Sequence, residues 1–157
     1  MKIVIGSDKS GFTLKEAVKN YLDSQGIEYD DLGTQKFEEP VPYYIVASKV
    51  APKIADGTYK KGVLICGTGM GMSIVANKHK NVYGACVESL YAAKMCRAIN
   101  NANVLCMGGW VIAPEMGIKM VEAFLNTEFL QDLEDWRQTF LINAEKEVKK
   151  IEENIYD

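Results

Sequence analysis

The hydrophobic positions of this chain follow two alternating rhythms. Compact apolar runs such as Ile3-Val4-Ile5 and Val63-Leu64-Ile65-Cys66 stop abruptly at glycine or polar residues and predict buried strands. Between them apolar residues recur at helical spacing, as Leu14, Val18 and Leu22 do ahead of the terminator Gly26. The pattern predicts strands over 2–7, 27–32, 62–66, 82–87 and 104–107. It predicts helices over 13–25, 44–54, 70–77, 90–99 and 114–125, the last with Pro114 in its first turn. A loop over 33–42 carries Pro40 and Pro42. Strands alternating with helices predict a parallel sheet covered on both faces.

The last segment differs. Leu133, Trp136, Phe140, Ala144, Val148, Ile151 and Ile155 are spaced by 3, 4, 4, 4, 3 and 4, one apolar stripe on a long helix. Lys146, Lys149 and Lys150 alternate with Glu145, Glu147, Glu152 and Glu153 on the solvated faces. The helix is expected to extend beyond the sheet and pack on a second subunit. The competing reading folds it back on its own domain.

With 157 residues the chain suits one domain with a real core. Its net charge of -3 leaves no basic excess for a general nucleic-acid surface. The opening MKIVIGSDKSGF does not read as a secretion signal, and no apolar run is long enough to span a membrane. The four cysteines form no C-x-x-C pair, so reduced thiols in a cytoplasmic protein are expected. The single histidine, His79, argues against a zinc site of His and Cys, and no metal is expected.

The strongest local feature is Cys66-Gly67-Thr68-Gly69-Met70-Gly71-Met72-Ser73, between a predicted strand and a predicted helix. Ligands of open α/β sheets bind beyond the carboxyl ends of strands, and glycines there expose backbone N–H groups to an anion. Met72 breaks the G-x-G-x-x-G dinucleotide fingerprint, and no G-K-[ST] follows. The bland alternative is a tight turn without a ligand. Cys66 stands where a nucleophile or base would sit, although a lone cysteine at a strand end reads first as a small hydrophobe. Asp8 and Lys9 end the first strand. Alone, Asp8 reads as a helix cap and Lys9 as a solvated charge; in a site they would move a hydroxyl proton and hold a phosphate. Asn100 reads alone as turn chemistry and in a site as a hydroxyl ligand. Arg97 and Arg137 are candidate phosphate clamps.

Together these segments resemble one known family. Ile5-Gly6-Ser7-Asp8, Gly11-Phe12 and Leu14-Lys15 look like its first strand and helix, and Asp31-Leu32-Gly33-Thr34 like the end of its second strand. Ile65-Cys66-Gly67-Thr68-Gly69, Gly71, Ser73-Ile74 and Ala76-Asn77-Lys78 match its signature loop. Asn100, Asn103-Val104-Leu105 and Gly108 match its fifth-strand region. The family is that of type B ribose-5-phosphate isomerases and galactose-6-phosphate isomerase subunits, and the match spans residues 1–129.

The resemblance implies a Rossmann-like three-layer α/β/α sandwich with a five-stranded parallel sheet, residues 130–157 forming the C-terminal helix. It implies a homodimer or dimer of dimers, no cofactor, and interconversion of aldose and ketose phosphates. Cys66 would move a proton between C1 and C2 through an enediolate. The N–H groups of Gly67, Gly69 and Gly71 would stabilise the developing charge. Thr68 and Asp8 would assist ring opening or hydroxyl proton transfer, Tyr43 would face the substrate, and Asn100 would orient a hydroxyl. Phosphate contacts come partly from the neighbouring subunit.

Three departures stand out. Lys9 and Ile99 occupy positions where the family has histidines, and Leu130-Gln131-Asp132-Leu133 replaces Gly-Gly-Arg-His, leaving Arg137 as the remaining phosphate arginine. An aliphatic Ile99 cannot transfer the protons of ring opening. The resemblance makes a ribose 5-phosphate type isomerase the main expectation, while the departures suggest an altered substrate that is already open-chain, such as a four-carbon sugar phosphate. The alternatives are a divergent isomerase acting on a tetrose or hexose phosphate and a non-catalytic sugar-phosphate sensor or partner subunit. A flavodoxin-like electron carrier shares the strand–helix pattern but would need a Ser/Thr- and Gly-rich first loop.

Overall fold

The computed structural model describes residues 2–156. In chain order it contains β1 (Ile3–Ser7), α1 (Phe12–Ser24), β2 (Tyr29–Asp31), α2 (Tyr43–Ala55), β3 (Gly62–Cys66), α3 (Met70–Ala76), β4 (Gly84–Cys86), α4 (Leu90–Ala98), β5 (Val104–Gly108), α5 (Pro114–Asn126) and α6 (Asp135–Tyr156). The strands form one parallel sheet in the order β2-β1-β3-β5-β4. This is the expected Rossmann-like sandwich.

Both faces are buried, and the side-chain alternation of the strands divides the core in two. Ile3, Ile5, Val63, Ile65, Leu105 and Met107 pack under α1, α4 and α5, around Val18, Met120 and Phe124. Val4, Leu64, Cys66, Val104 and Cys106 pack under α2 and α3, around Val46, Val50 and Met72. Cys66 thus points toward α3, the helix its own loop leads into. The central strands β1, β3 and β5 are fully buried, as their unbroken apolar runs require. The two outer strands are shorter than their apolar patterns suggested. β2 and β4 have only three residues each because each has a partner on one side only.

Side chains complete the edges. Asn77, just past α3, accepts from the Gly84 N–H at 2.7 Å and donates to the Gly84 carbonyl at 2.8 Å. It replaces a missing strand neighbour for β4 and fastens α3 to the sheet. Lys15 on α1 is fully buried. Its ammonium pairs with Asp31 at 2.6 Å, donates to the Thr34 carbonyl and lies 5.1 Å from the centre of the Phe12 ring. Thr34 N–H in turn donates to the Ser7 carbonyl at 2.8 Å, so this ion pair braces the end of β1.

α6 lies beside the β4 edge. Glu152 accepts from the Asn81 N–H and the Tyr83 hydroxyl, Glu145 accepts from the Asn101 amide, and Leu141 is buried. The apolar stripe read from the sequence remains largely open: Trp136, Phe140, Val148, Ile151 and Ile155 are exposed. Leu141, which lies off that stripe, makes the buried contact instead. Among the described residues no helix is long and apolar enough to cross a membrane.

Candidate active site

From β1 the chain moves outward to β2 and then crosses back to β3 on the other side of β1. At such a reversal the loops leave the sheet in opposite directions and open a crevice at the carboxyl ends of the strands. A cavity of about 250 Å³ lies there, lined by Asp8 and Ser10 after β1, Tyr43 at the start of α2, Cys66, Gly67, Thr68 and Gly71 around the end of β3, and Trp110 after β5.

Gly69 takes a left-handed conformation at φ 79°, which turns the chain from β3 into α3. In that turn the Gly69 N–H donates to the Cys66 sulfur at 3.2 Å. The bond fixes the sulfur at the base of the glycine turn, on the cavity side of β3. The Met70 N–H lies 3.4 Å from the Thr68 hydroxyl. Tyr43 is held against Gly71, where ring atoms lie 2.7 and 2.9 Å from the place a Cβ would occupy. A larger residue at position 71 would push the ring away from the cavity.

Asp8 stands both at the turn into α1 and at the cavity. One carboxylate oxygen accepts from the Gly11 N–H at 3.0 Å, closing the turn into α1, and the residue lines the cavity. Burial holds its carboxyl above the ordinary carboxylate range, opposed by the Gly11 and Ser10 N–H groups. A carboxyl so placed is suited to passing protons to and from a hydroxyl.

The remaining cysteines fit packing roles. Cys106 and Cys96 are buried, and burial pushes the Cys96 thiol up to about 11 and that of Cys106 well above the usual range. Cys86 is exposed, with its sulfur 3.6 Å from the Thr68 carbonyl, and partial burial also raises its thiol.

The single chain does not bring every sequence candidate to this cavity. Lys9 is exposed with its ammonium 4.7 Å from the centre of the Phe37 ring. Asn100 lines a different hollow with Ile99, Tyr83 and the α6 residues Leu141, Ala144 and Val148. Arg137 sits half-buried near the start of α6. Arg97 is not a free clamp: its guanidinium is buried and donates to the Thr127 and Ala102 carbonyls and the Asn101 side chain. The structure also adds Ser10 and Trp110, which the sequence reading missed. The available signal was their position just beyond strand ends, but that β5 lies beside β3 is a matter of topology.

A family model described as Ribose/Galactose Isomerase matches residues 3–139. The chain is 56% identical over 156 residues to a 4-deoxy-4-sulfo-D-erythrose isomerase of Clostridium sp. (strain MSTE9), covering 99% of this chain and 98% of that one. It is 37% identical over 129 residues to a D-erythrulose-4-phosphate isomerase of Pectobacterium atrosepticum, covering 82% and 85%. Among solved structures, the Mycoplasma genitalium ribose-5-phosphate isomerase B with bound ribulose 5-phosphate superposes with a TM-score of 0.81 at 34% identity, covering 94% of this chain and 96% of that one.

Proposed function

We propose that this chain, which belongs to the ribose/galactose isomerase family, interconverts a four-carbon aldose and ketose carrying an anionic group, preferably a sulfonate, on C4. Membership carries the reaction class: the chain is an isomerase of the sugar-phosphate type. The observation that carries the assignment of roles is the cavity that gathers Cys66, Asp8 and Thr68 around a sulfur already bonded to an N–H. Cys66 as thiolate removes the proton from the carbon next to the carbonyl. The resulting enediolate is stabilised by the N–H groups of Gly67 and Gly71, since that of Gly69 is held by the sulfur, and the thiol returns the proton to the neighbouring carbon. Asp8 and Thr68 exchange protons with the two oxygens, and Tyr43 walls the sugar.

Ile99 supports four carbons. An aldotetrose substituted at C4 has no hydroxyl placed to close a five- or six-membered ring, so no ring-opening acid is needed, in keeping with Ile99. A sulfonate carries one negative charge, whereas a phosphate monoester carries about −1.5 to −2 at pH 7. The resemblance to the clostridial sulfo-erythrose isomerase supports the former.

The proposal includes a second copy of the chain. Asn100 and Arg137 lie outside the cavity, and the α6 stripe is open; a symmetric dimer that covers this stripe would supply both to the partner's cavity. It also includes a cytoplasmic setting, where a catalytic thiol stays reduced.

Solvent-deuterium exchange at carbon, followed by NMR, tests the reading. 4-Deoxy-4-sulfo-D-erythrose, D-erythrulose 4-phosphate and ribose 5-phosphate would be offered to wild type and Cys66→Ala. Exchange of four-carbon sugars by wild type alone is expected. Turnover of ribose 5-phosphate at a comparable rate would overturn the substrate assignment, and exchange by Cys66→Ala would overturn the role of the thiol.

A further inference from the structure

We propose that Trp110 sets the length of the sugar chain this site accepts. The inference rests on the four-carbon reading above and names the residue that enforces it.

Trp110 follows β5, and its backbone is tied to the catalytic loop. The Gly109 N–H donates to the Cys66 carbonyl at 2.7 Å and the Trp110 N–H to the Gly67 carbonyl at 3.0 Å. These bonds lace the loop after β5 to the loop after β3 and fix the base of the indole. The ring then lies on Gly67: its Cε3, Cζ3 and Cδ2 atoms lie 2.8, 2.8 and 2.9 Å from the place a Cβ on residue 67 would occupy. The indole is therefore seated against the glycine whose neighbour is Cys66, and it lines the same cavity as Asp8, Tyr43 and Thr68.

The indole is also 75% exposed, a costly placement for the largest side chain unless something covers its open side. A short substrate bound at Cys66 would lie between this ring and Tyr43. The ring's breadth would leave room for the reacting carbons and a compact anionic end but would block an additional hydroxymethylene. One carbon unit in an apolar enclosure discriminates substrates by about 10–200-fold. The backbone bonds fix where the Trp110 side chain starts, and its contact with Gly67 sets the face it turns to the cavity.

The experiment compares kcat/KM for 4-deoxy-4-sulfo-D-erythrose and for ribose 5-phosphate in wild type, Trp110→Phe, Trp110→Leu and Trp110→Ala, each checked for folding by thermal unfolding. The four-carbon to five-carbon ratio is expected to fall by about 100-fold in Trp110→Ala, with an absolute gain on ribose 5-phosphate, and to change by less than about 3-fold in Trp110→Phe. If the alanine variant does not fold, the leucine variant carries the comparison. An unchanged ratio in the folded variants overturns the proposal. A second readout is independent of turnover. Trp136→Phe leaves Trp110 as the sole indole, and titration with 4-deoxy-4-sulfo-D-erythrose is expected to change its emission saturably. Turnover by wild type without any emission change would overturn the role of Trp110 while leaving the four-carbon reading intact. Wild-type failure on four-carbon sugars would remove that reading, and emission with ribose 5-phosphate would then show whether the ring touches substrate.

Discussion

The Gly69 N–H and the Cys66 sulfur stand 3.2 Å apart across the turn between β3 and α3. The bond depends on a left-handed residue at position 69, where a Cβ would also lie 2.8 Å from the Met107 carbonyl carbon. Gly69→Ala must therefore shift the turn and take the N–H off the sulfur. We expect kcat to fall by about 10²-fold, the usual loss for one preorganised donor. The alkylation rate of Cys66 by iodoacetamide at fixed pH should fall with it. An alanine variant with unchanged alkylation and unchanged kcat would show that the bond does not matter.

Asp8 gives a prediction with a definite sign. Burial raises its carboxyl in the folded protein, so the folded state holds that proton more tightly than the unfolded chain does. The group therefore favours folding most below its unfolded value, and this contribution is lost as pH rises through the raised folded value. At pH 7 the ionised carboxylate is a cost. Asp8→Asn keeps an oxygen for the Gly11 N–H and removes the charge. Its melting temperature should exceed that of wild type at pH 7, with the difference shrinking toward pH 4. Turnover should drop by about 10²-fold or more, as for a lost acid–base group. A stability difference that grows on acidification would contradict this account.

How much of this was legible in the residues depends on whether a feature is local. β3 and the loop after it form one continuous segment, so Cys66, Gly67, Thr68 and Gly71 were readable as a unit. The central strands were equally plain, since a strand buried on both faces must be apolar throughout. Trp110 and Tyr43 were harder. They reach Cys66 only because β5 lies beside β3 and α2 packs near α3, and apolar periodicity carries no strand order. Lys15 was invisible for another reason. A lysine in an amphipathic helix reads as a solvated charge, and only the fold reveals that Asp31 and Thr34 surround it.

That buried lysine carries a stability prediction. Its side chain is fully enclosed and Asp31 is nearly so. Lys15→Met would leave the buried Asp31 carboxylate with the Gly33 N–H and, as its remaining cation among the described residues, Lys19 at 3.4 Å. Breaking such a pair costs about 3–5 kcal/mol, or roughly 6–20 °C of melting temperature for a chain of this size. The double variant Lys15→Met/Asp31→Asn should recover part of the loss, since the neutral amide still offers an oxygen to the Gly33 N–H, which the Asp31 carboxylate accepts in the wild type. Thermal unfolding of the three proteins checks this, and a single variant as stable as wild type would exclude the bracing role.

The separation of Asn100 from Cys66 makes the proposed dimer testable by complementation. In one chain Asn100 lines the hollow beside α6, while Cys66 lies at the crevice between β1 and β3. If each working site takes Cys66 from one subunit and Asn100 from the other, Cys66→Ala and Asn100→Ala homodimers should both be impaired. Subunits exchanged by joint unfolding and refolding would then form heterodimers with one intact site and one doubly defective site. With random pairing, half the dimers are mixed and half of their sites are intact, so activity should return to about a quarter of wild type. Sites built within one chain would give only the average of the two variants, because no chain in the mixture carries both residues. Removing residues 143–157 should abolish both the dimer, seen by light scattering, and the complementation. A truncated chain that still dimerises and complements would show that the open face of α6 is not the contact.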